Sequence, residues 1–155
     1  MEPTLTPHLA LAYLRELSTD VRGGIVLDRA GTRLAGEPAI ESGARALLGA
    51  AAGRTWIQVR AAAGWVFAVC FPDGAVVLVT GPHALPGLVR HDLGAVVAML
   101  APARRAAAAG DVTETAAPAG RPEWAAPASG DALMQLADCI HAAVPRFAGP
   151  SDADR

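Results

Sequence analysis

Lysine is missing from this chain altogether: every one of its 13 basic residues is an arginine. That absence removes chemistry that needs an amine, such as Schiff-base formation, a lysine general base or the lysine of a phosphate-gripping loop. Positive charge is also in short supply, since the 13 basic residues face 15 acidic ones and the formal net charge is -2. A nucleic-acid backbone or an anionic membrane surface calls for clustered cations, so neither is expected as a partner. There are 2 cysteines, Cys70 and Cys139, with no CxxC spacing between them. Reduced, buried thiols are predicted rather than a metal or redox pair. No apolar run approaches the roughly 20 residues that span a bilayer. Met1-Glu2-Pro3-Thr4 lacks the charged start and apolar stretch of a secretory leader, and a cytoplasmic location is expected. No GxGxxG run follows a strand, and no cofactor is expected.

What the chain does have is apolar content, 52% of its 155 residues. That suits one core and one domain with an appendage. The richest stretch runs from Thr55 to Thr80. Three extended runs, Thr55 to Arg60, Gly64 to Phe71 and Ala75 to Thr80, carry the β-branched and aromatic residues that favour a pleated surface. Pro72-Asp73-Gly74 and Ala61 to Gly64 are turns, so the three runs form an antiparallel meander. In the second run Trp65, Phe67, Val69 and Phe71 fall on one face and Val66, Ala68 and Cys70 on the other. A strand apolar on both faces needs cover on both, from helices, another sheet or a second subunit.

The elements before and after the meander follow from local signals. Thr6 caps a helix whose first residue is Pro7, with Ala10, Leu14, Leu17 and Val21 at helical spacing; it should end near Thr19 at Gly23-Gly24. Ile25-Val26-Leu27 reads as a buried strand, Arg29-Ala30-Gly31 as a turn, and Thr32 to Ala35 as a short return strand. Ala39 to Ala52 is a second helix, with Ile40, Ala44, Leu47, Leu48 and Ala51 apolar. Its small, oily surface permits close packing, either on its own sheet or across a symmetric interface. A third helix from Leu88 to Leu100 should stop at Pro102. The expected architecture is α+β, an α-β-β-α-β-β-β-α sandwich around a five-stranded antiparallel sheet, over residues 7–101.

Residues 102–128 are rich in Ala, Pro and Gly and read as a flexible linker. Residues 129–147 form a C-terminal amphipathic helix with Leu133, Leu136, Ile140 and Val144 in one stripe, ended by Pro145. Residues 148–155 read as a disordered tail. A lone helix of this length is marginal in water, so it either completes its own fold or docks on a partner. Trp124, inside the polar linker, is either an exposed stray or an anchor for a partner's pocket. His83, His91 and Asp92 with Cys70 suggest hydrolytic or metal chemistry, but no spacing gives a nucleophile a base and an orienting group. Neither catalytic residues nor a metal site is expected.

The run Leu14, Leu17, Val21-Arg22-Gly23-Gly24-Ile25-Val26-Leu27-Asp28-Arg29-Ala30-Gly31, then Leu34-Ala35, resembles the start of roadblock/dynein-light-chain domains, which share a profilin-like sandwich. The resemblance covers about Leu9 to Leu100. It implies a homodimer in which second helices pack together and meander edges join into one sheet, assigning Ile40, Ala44, Leu47, Leu48, Ala51, Trp56, Gln58 and Arg60 to the interface. It also implies a non-catalytic adaptor, of the bacterial type, that binds a Ras-like small GTPase or related signalling partner and modulates its nucleotide state. The linker and fourth helix lie outside the family pattern. Trp124, Leu133, Leu136, Ile140 and Val144 are candidates for partner contact or for capping the chain's own surface. Two other readings stand beside it: a sensor-like module holding a small molecule near Phe67, Phe71 and Leu78, and a purely structural dimer.

Overall fold

The structure, a computed structural model, describes residues 5–51, 53–108 and 130–144. It is an α+β fold with a five-stranded antiparallel sheet and four α-helices among the described residues. The elements run α1 (Pro7–Leu17), β1 (Val21–Asp28), β2 (Arg33–Gly36), a short 3-10 turn (Pro38–Ile40), α2 (Glu41–Ala50), β3 (Trp56–Ala61), β4 (Gly64–Phe71), β5 (Gly74–Thr80), α3 (Pro86–Ala108) and α4 (Gly130–Ala143). The strands lie in the order β2-β1-β5-β4-β3, so β5 is central and β3 is an edge. Side chains of α1 and α3 pack with Phe67, Val69, Val76 and Leu78 on one face. Those of α2 and α4 pack with Val66, Ala68, Val77 and Val79 on the other. The alternation expected along β4 is the one observed: Trp65, Phe67, Val69 and Phe71 face α1 and α3, and Val66, Ala68 and Cys70 face α2 and α4.

Local chemistry explains the starts and turns. The Thr6 hydroxyl accepts the Leu9 amide at 3.3 Å, and Pro7 follows where a missing N–H costs nothing. Asp28 ties the β1–β2 turn by accepting the Thr32 amide at 2.8 Å, and Gly31 takes the positive φ of 82° that the turn requires. Two expectations are corrected. Gly23-Gly24 does not end a helix but lies inside β1. A side chain at Gly24 would begin 2.9 Å from Leu11 Cδ2, so Gly24 lets α1 approach the sheet closely, while a Cβ at Gly23, on the opposite face, would lie 3.2 Å from Val144 Cγ2. Nor does Pro102 stop the third helix, which continues to Ala108. A proline forfeits one i→i−4 bond, but the Ala and Arg residues after it are strong helix formers and carry the backbone on. The part of the expected linker up to residue 108 is therefore helical. The rest of it with Trp124, and the expected tail at 148–155, lie outside the described residues.

Candidate interaction surface

The first element of the surface is the free edge of β3. The two-residue turn Ala62-Ala63 makes Ala61 and Gly64 the closing pair of the hairpin. Hydrogen-bonded pairs then recur at every second residue, and the bond from the Cys70 amide to the Thr55 carbonyl at 2.8 Å fits that phase. Ala61, Val59 and Ile57 thus bond inward to β4. Trp56, Gln58 and Arg60 present their backbone N–H and C=O groups outward, where no strand of the described residues lies beside them.

The same three residues point their side chains to the α1/α3 face, and there they join a band of aromatic and cationic groups. Phe67 is fully buried, and two half-buried indoles flank it: Trp56 at 6.2 Å and Trp65 at 6.1 Å between ring centroids. The Arg60 guanidinium lies 5.4 Å from the Trp65 ring centre, and that of Arg90, from α3, lies 5.3 Å from Trp56. Such stacking holds a guanidinium flat while leaving its N–H donors outward. Ion pairs among the described residues use other arginines: they join Arg15 to Glu37 and both Arg33 and Arg45 to Glu41. The band therefore offers two exposed cations across a partly apolar floor. The register could have revealed the Arg60–Trp65 pair, since both residues lie one step beyond the hairpin's closing pair. The contact between Arg90 and Trp56 joins a helix to a strand and has no local signal.

On the opposite face the chain covers itself. Ile40, Ala44 and Leu47 are fully buried, Leu48 and Ala51 nearly so, and Ala137, Ile140 and Val144 of α4 belong to the same cluster, with Leu133 and Leu136 packed against it. Of the two placements open to the second helix, packing within its own chain is the one seen: α4 of the same polypeptide sits on it. The stripe on α4 likewise faces its own sheet rather than a partner. Gly43 allows the contact, since a Cβ there would lie 2.7 Å from Ile140 Cγ1. Two polar contacts fix α4 against the β3–β4 hairpin. Asp138 Oδ1 accepts the Ala62 amide at 2.8 Å, and His141 Nε2–H donates to the Trp65 carbonyl at 3.1 Å. Burial pushes the His141 imidazole below its usual range, with Arg22 adding to that, while the Trp65 carbonyl and Asp138 oppose it. Neither Asp138 nor His141 was singled out by pattern, because each acts on a backbone group 76 positions away.

The residues that invited a catalytic reading are not brought together. Cys70 packs on the α2/α4 side, its thiol pKa raised by burial, whereas His91 and Asp92 belong to α3 on the other side of the sheet. No group of three or more His, Cys, Asp or Glu residues able to hold a metal occurs among the described residues. Phe67 and Leu78 are packed in the α1/α3 cluster, with Phe71 against its margin. No described helix is long and apolar enough to cross a membrane. No protein-family model matches the chain, nor does any curated protein or solved structure.

Proposed function

We propose that this chain is a non-catalytic adaptor that assembles as a homodimer through the open edge of β3. The observation that carries the reading is the backbone ladder at Trp56, Gln58 and Arg60, which pairs with no strand among the described residues beyond β4. An edge of this kind accepts another strand. A symmetric antiparallel pairing centred on Gln58 would set Arg60 of one copy opposite Trp56 of the other, so the edge is complementary to itself. The α2 surface takes no part while α4 covers it. The partner class follows from the family resemblance: a Ras-like small GTPase or related signalling protein, whose nucleotide state would shift because the adaptor binds one conformation better.

Light scattering tests the assembly. The expected result is a mass near twice the 15.8 kDa of one chain. Gln58→Pro removes only an outward N–H, which an edge strand tolerates. That variant is expected to run as a folded monomer. A wild-type chain that stays monomeric at high micromolar concentration would remove the dimer.

A further inference from the structure

We infer that the Arg60–Trp65–Phe67–Trp56–Arg90 band is a docking site for an extended, acidic segment of a partner protein. The inference rests on the proposed role as an interaction module and deepens it by naming the partner's chemistry; it does not depend on the dimer.

Charge complementarity is the first argument. Arg60 and Arg90 are both exposed, and none of the ion pairs among the described residues involves them. Each lies over the face of an indole, which restrains the side chain before anything binds. Ordering a free arginine side chain costs conformational entropy, and here stacking has met that cost in advance. A carboxylate accepts two parallel hydrogen bonds from such a fork.

Spacing is the second. Arg60 and Trp56 are four positions apart on one strand, about 13 Å at about 3.3 Å per residue. Because Arg90 stacks on Trp56, the two cations stand near opposite ends of that interval. An extended segment places side chains i and i+4 on one face at the same spacing, with side chain i+2 over the floor between. That floor is Trp56 and Trp65, half-buried around the buried Phe67, and it suits an apolar group. Trp and Arg are also the residue types that dominate binding energy at protein interfaces. The recognised pattern is an acid, an apolar residue and an acid at alternate positions. A single-stranded nucleic acid could stack on the same rings, but it needs a run of cations along its backbone. A net charge of -2 does not provide the wider field that such a ligand requires.

The test uses the full chain and a labelled peptide, Ser-Glu-Ser-Leu-Ser-Glu-Ser, with binding read by anisotropy. The peptide is expected to bind, more weakly as salt rises. Arg60→Glu with Arg90→Glu should weaken it by about tenfold or more, and Arg60→Gln with Arg90→Gln should do so to a lesser degree. All four substitutions are on the surface, and an unchanged melting temperature confirms that the fold persists. A peptide with Lys in place of Glu should not bind. The site is overturned if the wild-type chain ignores the Glu peptide, if the Arg→Glu pair leaves binding intact, if the Lys peptide binds as well, or if oligothymidylate binds more tightly. Mass measured on the same samples separates the two proposals. A monomer that takes the peptide loses the dimer and keeps this site; a dimer that ignores the peptide loses this site alone.

Discussion

Gly43 is the residue on which the placement of α4 turns. Alanine there would improve helix propensity by about 1 kcal/mol, yet its Cβ would press on Ile140 at 2.7 Å. Gly43→Leu enlarges the conflict and is expected to lift α4 off α2. Faster amide exchange confined to residues 131–143 would show this, and unchanged exchange there would contradict the contact. His141 gives a second residue-scale prediction. Its docked imidazole has a lowered pKa, whereas a released helix returns it to about 6.5. The released form therefore takes up a proton that the docked form refuses, so docking holds at neutral pH and weakens as pH falls below about 6.5. Exchange in α4, corrected for its intrinsic pH dependence, should be faster at about pH 5.5 than at about pH 7.5. His141→Gln should flatten that difference. Phe67 sets the floor of the binding band, and Phe67→Ala is expected to cost about 3 to 5 kcal/mol of stability while loosening both indoles. Urea melts and tryptophan fluorescence would report the two effects.

At the scale of elements, α4 is the covering layer of one face. Ending the chain at Ala128 would bare Ile40, Ala44, Leu47, Leu48, Ala51, Ile57 and Val59 together. The expected outcome is a lower melting temperature together with a larger mass in solution, as bared α2 surfaces find each other. A truncated chain with the same number of copies per particle and the same melting point would mean that α4 contributes nothing to the fold. The elements themselves were largely legible from local pattern. The Thr6 cap, the strands between Thr55 and Thr80 and the two faces of β4 each follow from a few adjacent residues. Gly23-Gly24 misled because glycine marks both a helix stop and a close approach, and only the distant Leu11 decides between them. Pro102 misled because one lost hydrogen bond was weighed without the helix-forming run beyond it. Periodicity identified the stripe on α4 but not its destination, which depends on residues about a hundred positions away.

For the molecule as a whole, the sheet divides two roles. One face is closed by α2 and α4, and the other leaves Trp56, Trp65, Arg60 and Arg90 partly open beside the β3 edge. Three of the eight residues of the sequence-derived interface, Trp56, Gln58 and Arg60, lie where a second chain could reach them; the other five, on α2 and at its two ends, share a buried cluster with α4. That arrangement has a kinetic side. Because α4 and α2 belong to one polypeptide, they meet at an effective concentration on the order of millimolar. Any outside helix seeking the α2 surface must outcompete this built-in rival, while a ligand at the β3 edge meets none among the described residues. A weak binder would then be turned away from one side of the sheet and admitted on the other, with selectivity set by tethering rather than by shape.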